Sequence, residues 1–118
     1  MKSCTSLGLF AALALMAAGS LLQDIDAPLM PGLAERPDLG FAFDVETGRI
    51  ARIVLEGPAS PDAVLRYYAQ ALTALGWTAD PATESFLRDG ERAQLHVESA
   101  EPGARIVIDI QPVAQPAR

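Results

Sequence analysis

His96 carries the only imidazole of this 118-residue chain. Imidazole is the side chain that changes charge most readily near neutral pH. Acid–base or nucleophilic chemistry built on it needs an orienting carboxylate and a nucleophile within reach. Glu98 follows two residues on, on the same strand face, so a His96–Glu98 contact is expected, and a surface pair explains it more simply than a catalytic dyad. Asp44 and Glu46 also share a face by strand parity. A hydrolytic carboxylate pair needs a cleft and one raised pKa, and neither is legible here, so a solvated strand end is expected. Asp24 and Asp26 offer two carboxylates where calcium or magnesium takes about six oxygens or more. Ser60 precedes a helical pattern, yet Gly57-Pro58-Ala59-Ser60-Pro61 lacks the Gly-x-Ser-x-Gly of a nucleophile elbow. Gly57 is a lone turn glycine and forms no dinucleotide fingerprint. No catalytic, cofactor-binding or metal-ligating residue emerges. The chain is read as non-enzymatic, with no cofactor.

The single cysteine, Cys4, lies in an N-terminal segment with its own logic. Met1-Lys2-Ser3 is a short basic start, Ser3 to Leu22 carries no charge, and Leu7 to Ala18 is almost wholly apolar. Ala17-Ala18-Gly19 then places small residues before Ser20, the pattern of a secretory signal. Cleavage after Gly19 or Ser20 is expected, with retention as an N-terminal anchor the alternative; membrane contact then runs only through residues 3–22. Position 20 is Ser, whose hydroxyl cannot form the thioether of a lipoprotein anchor. Beyond the signal there is no cysteine and no lysine, and eight arginines face fifteen acidic residues for a net charge of −7. Such a balance disfavours nucleic acid and anionic lipid.

Residues 20–40 read as a linker broken by Pro28, Pro31 and Pro37, and residues 112–118 as a flexible tail. Phe41 to Val45 alternates as a short strand, and Arg49 to Glu56 as a second, with Ala51, Ile53 and Leu55 on one face. Ser60-Pro61-Asp62 combines a cap, a first-turn proline and an acid at the positive end of the helix dipole. Val64, Tyr68, Ala71, Leu72 and Leu75 form one helical stripe, which Gly76 ends. Strands follow at 85–88, 92–98 and 105–111, with Asp89-Gly90 as a two-residue hairpin turn. The expected fold is α+β: one helix on a mostly antiparallel sheet of four to five strands, ββαβββ, over residues 41–111.

The stretch Ala63-Val64-Leu65-Arg66-Tyr67-Tyr68-Ala69-Gln70-Ala71-Leu72-Thr73-Ala74-Leu75-Gly76-Trp77, with a strand before it and a hairpin after, resembles small exported proteobacterial proteins and lipoproteins of unknown function. The resemblance covers about residues 48–111 and implies an envelope location. It carries over no catalytic residue.

Binding is the function these patterns favour. Strand parity puts Ile50, Val54 and Val107 on the sheet's outer face, where adjacent apolar side chains need cover. Leu29, Met30 and Leu33 in the linker, or a partner protein, are expected to supply it. Tyr67 lies beside the helix stripe, where an aromatic side chain suits an interface. The expected function is an exported binding or accessory module of the cell envelope that meets a protein partner or itself. A carrier of a small apolar ligand is the alternative, and an enzyme using His96 the third reading.

Overall fold

The structure, a computed structural model, describes residues 20–113. The expected targeting segment, residues 1–19, and residues 114–118 of the expected tail lie outside the described residues. In chain order the elements are α1 (Leu21–Asp24), β1 (Ala34–Glu35), a 3-10 turn (Pro37–Leu39), β2 (Phe41–Val45), β3 (Gly48–Gly57), α2 (Pro61–Ala74), β4 (Thr78–Asp80), β5 (Ser85–Arg88), β6 (Glu91–Ala100) and β7 (Gly103–Pro112).

All seven strands join one sheet, every pairing antiparallel, in the order β1-β3-β7-β6-β5-β4. β2 lies off this path and pairs with β3 alone, on the same edge as β1. The Ala34↔Glu56 register sets β1 at one end of β3, and Phe41↔Arg52 to Val45↔Gly48 sets β2 at the other.

The expected ββαβββ arrangement of four to five strands is therefore corrected: the described residues form a β-rich domain with a seven-stranded sheet and two helices, one of them short. The extra strands, β1 and β4, have two and three residues. Strands that short carry no alternation to read, and only their partners define them. The stretch expected to be a linker holds α1 and β1 and places Leu22, Ile25, Ala27 and Leu33 in the core. Its prolines interrupt helix without preventing burial. At the other end β7 runs through Pro112, and the Val113 N–H donates to the Gly90 carbonyl at 2.8 Å, so the chain is still bound where the tail was expected to begin.

Amphipathic patterning explains the core. Ala51, Ile53 and Leu55 of β3 and Ala104, Ile106, Ile108 and Ile110 of β7 alternate onto one face. Val64, Tyr68 and Leu72 of α2 cover that face, with Trp77 just past the helix end. The caps anticipated from sequence are present. The Ser60 hydroxyl accepts from the Ala63 N–H, and Gly76 takes a positive φ of 97° while the Trp77 N–H donates to the Leu72 carbonyl. Asp89 and Gly90 both have positive φ, 50° and 80°, as a tight hairpin requires.

Tyr68 ties the N-terminal stretch to this core. Its buried hydroxyl donates to the Pro28 carbonyl at 2.8 Å and accepts from the Met30 N–H at 2.9 Å. Close by, Gly57 admits the chain: a Cβ there would collide with the Gly32 carbonyl and with Leu33. At the start of α1, the Ser20 hydroxyl accepts from the Gln23 N–H and donates to Glu35, whose other oxygen accepts from the Leu21 N–H. α1 is thus fastened to β1 and held over the end of the sheet. Among the described residues, no helix is long and apolar enough to cross a membrane.

Candidate functional site

β2 is a strand with one side of its backbone open. All five of its residues are exposed. The hairpin closes on Val45↔Gly48 with two residues between, the arrangement in which the closing pair exchanges both hydrogen bonds and every second pair repeats this. The Arg36 N–H donates to the Val54 carbonyl at 2.7 Å on the same edge of β3, so the even-numbered residues of β3 direct their backbone groups that way. Phe41, Phe43 and Val45 are consequently bonded to β3. The N–H and C=O groups of Ala42 and Asp44 point away from it.

Counting across the hairpin fixes the side chains. Phe41 stands opposite Arg52, and Phe43 opposite Ile50, so the phenylalanines share the sheet's outer face, away from α2. Phe41 is 42% exposed and Phe43 52%. Their rings stack with centroids 5.8 Å apart, and the Arg52 guanidinium lies 5.7 Å from the Phe41 ring centroid. Exposed apolar residues on an unpaired, five-residue edge are what sheet proteins commonly avoid. The opposite edge, β4, is three residues long and carries Asp80, whose carboxylate accepts from the Ala82 N–H and the Thr83 hydroxyl.

Beyond this corner the outer face carries two rows of ion pairs with a valine pair between them. Arg52 makes two hydrogen bonds to the Asp109 carboxylate at 2.8 and 3.3 Å. Two rows over, Glu56 accepts from Arg36 at 2.8 Å and from Arg105 at 2.6 Å. These donors, Arg105 first, hold the Glu56 carboxyl below the ordinary glutamate range. Val54 and Val107 pair in the row between. Val54 is only 4% exposed and Val107 is half-buried. Ile50, also half-buried, adjoins Phe43.

The residues expected to interact therefore separate. Leu33 is buried in the core, on the α2 side of the sheet, and Met30 packs against that core while donating its N–H to Tyr68. The expected cover of Ile50, Val54 and Val107 by Leu29, Met30 and Leu33 does not form: Tyr68 and Gly57 direct the 28–33 stretch to the opposite face. Leu29 stays 49% exposed. Tyr67 is half-buried against the core, edge-on to Tyr68 with centroids 4.9 Å apart.

The other side of β2 borders a groove. One concavity of about 210 Å³ is lined by Leu21, Ile25, Ala42, Asp44, Arg49 and neighbours. Leu21 and Asp24 also line a second concavity beside Gly40 and Phe41. Arg49 is engaged elsewhere: it donates to both Glu91 carboxylate oxygens at 2.7 and 3.2 Å and to the Asp24 carbonyl at 3.3 Å. Asp24 and Asp44 form no ion pair among the described residues.

The residues with chemical potential are dispersed. His96 is exposed, and its imidazole approaches Asp109 at 3.7 Å, whereas Glu98 faces Arg105 at 3.6 Å. The expected His96–Glu98 contact is replaced by neighbours across the β6–β7 ladder, Asp109 for His96 and Arg105 for Glu98. Ser60 is occupied as a cap. Among the described residues, no three His, Cys, Asp or Glu side chains are grouped to hold a metal ion. Tyr68, Leu72 and Trp77 fill the space between α2 and the sheet, where an apolar ligand would have to sit.

Sequence reasoning recognised Phe41, Phe43 and Val45 as a strand but not as exposed. The missing step was the hairpin register: a two-residue turn at Glu46-Thr47 places them with Ile50 and Arg52, opposite in face to Ala51, Ile53 and Leu55. Compared with protein-family models, curated proteins and solved structures, the chain matches none.

Proposed function

We propose that this chain is an exported, non-enzymatic binding module of the cell envelope, an accessory subunit or assembly partner of a larger complex. The observation that carries the reading is β2: a five-residue open edge that exposes Phe41 and Phe43 while most large apolar side chains of the sheet are buried or half-buried. Strand addition to such an edge is a recurrent mode of peptide recognition, in which main-chain hydrogen bonds supply affinity and alternate side chains supply specificity. Export is supported by the basic start, the uncharged run and the small-residue exit at Ala17-Ala18-Gly19.

The experiment is affinity purification of the tagged protein from membranes in mild detergent, wild type beside Phe43→Lys. A stoichiometric companion retained by the wild type and lost by the variant is the expected result. Recovery of both as lone proteins overturns the reading. Intact mass of the recovered protein checks export: a chain beginning at Ser20 or Leu21 is expected.

A further inference from the structure

We propose that the free edge of β2 receives an extended segment of a partner protein in which apolar residues alternate with basic ones. This rests on the binding function proposed above and names the chemistry of the partner. Three features converge on it.

The first is the backbone. Ala42 and Asp44 direct their N–H and C=O groups away from β3, and among the described residues no backbone hydrogen bond outside the hairpin involves residues 41–45. An added strand completes these bonds at the sheet spacing of about 4.8 Å. The second is the outer face. Every other side chain of that strand would stand beside Phe41, Phe43 and Val45, so apolar residues fit there. The third is the inner face. The intervening side chains would enter the groove between α1 and β2, which Asp24 and Asp44 border. Arg49, the cation on its wall, is held by Glu91. The groove therefore has carboxylate in excess, and a lysine or arginine from the partner supplies the missing charge. The net charge of −7 carried by the chain beyond the signal favours the same partner at long range.

A second copy of this chain fits less well. Antiparallel pairing of β2 with itself about Phe43 stacks the aromatic residues, but it directs the Asp44 side chain of each copy towards the groove that already holds Asp24 and Asp44. It also joins two acidic molecules.

The test uses capped synthetic peptides of alternating valine and lysine, and of alternating valine and glutamate, titrated into the isotopically labelled protein. Wild type is compared with Ala42→Pro and with the Asp24→Asn/Asp44→Asn double variant. Proline is tolerated on an edge where its missing N–H would face solvent, so Ala42→Pro removes a docking group without breaking the hairpin. The valine–lysine peptide is expected to slow exchange of the Ala42 and Asp44 amides and to bind about tenfold or more tightly than the valine–glutamate peptide. Ala42→Pro should abolish this binding, and the double variant should erase the preference for lysine.

Equal binding of both peptides overturns the charge assignment. Binding of neither, or binding untouched by Ala42→Pro, overturns the proposal. So does concentration-dependent self-association that protects Ala42 and Asp44 and that the peptide does not compete away. Each of these results leaves the companion found by affinity purification, and with it the broader binding function, standing on its own test.

Discussion

Tyr68 serves as both core and clamp through one hydroxyl. Tyr68→Phe keeps the ring and leaves the Pro28 carbonyl and the Met30 N–H without their partner. A loss of about 1–3 kcal/mol is expected, seen as a lower denaturant midpoint at unchanged slope. Burial, the largest influence, pushes the Tyr68 phenol up to about 12. The folded protein therefore holds this proton more tightly than the unfolded chain does. That contribution is intact below about pH 10 and is lost as pH rises towards the folded value. Wild type should lose stability across this alkaline window, and Tyr68→Phe should lose less. Glu56 behaves oppositely, because Arg105 and Arg36 depress its carboxyl. Its contribution is present above about pH 4.3 and fades as pH falls through the depressed value. Acid unfolding of Glu56→Gln should therefore show a shallower dependence on pH in that range.

The elements differ in how far local sequence defines them. α2 was legible because Ser60, Pro61 and Gly76 mark its ends and Val64, Tyr68 and Leu72 mark its buried stripe. Ser60→Ala should cost about 1 kcal/mol by removing the cap on the Ala63 N–H. The long strands were legible for a similar reason: Ile106 and Ile108 alternate with Arg105, Val107 and Asp109, and Ile53 and Leu55 are flanked by Arg52 and Glu56, with the buried Val54 the one break in the pattern. β1 was not, since Ala34 and Glu35 have no periodicity and are strand only because Glu56 and Leu55 stand opposite. Nor was the packing of residues 28–33, which depends on a tyrosine 40 positions from Pro28 and on a missing Cβ at Gly57. Gly57→Ala should therefore destabilise by about 1–3 kcal/mol, since either Gly32 and Leu33 or the strand must shift. Thermal unfolding of the purified variant measures this. The site itself was half legible: the strand Phe41–Val45 was read, but its outward face followed only from the register of the hairpin.

At the scale of the whole molecule, the N-terminal stretch extends a core that residues 41–111 alone would leave small. Domains of such a size bury a smaller fraction of their unfolded surface than larger ones do and are marginally stable. Leu22, Ile25, Ala27 and Leu33 enlarge the core. Ile25→Ala, at a site 1% exposed, should cost about 2–5 kcal/mol; a stability unchanged in urea titration would mean the stretch is a tether after all. The same packing shapes the edge proposed above for binding. α1, fastened to Glu35, walls the groove beside β2, and on the outer face Phe41 and Phe43 stand more exposed than the apolar Ile50, Val54 and Val107. On the binding function proposed above, the β2 edge is open in the free protein and occupied in the assembly. Amide hydrogen exchange measures it directly, on the isolated protein and on its complex with the companion recovered from membranes. Ala42 and Asp44 should exchange fast in isolation, with Phe43 and Val45 protected, and should slow by tenfold or more (about 1.4 kcal/mol) in the complex. Exchange at Ala42 and Asp44 that is already slow in isolation, or unchanged in the complex, would contradict the account.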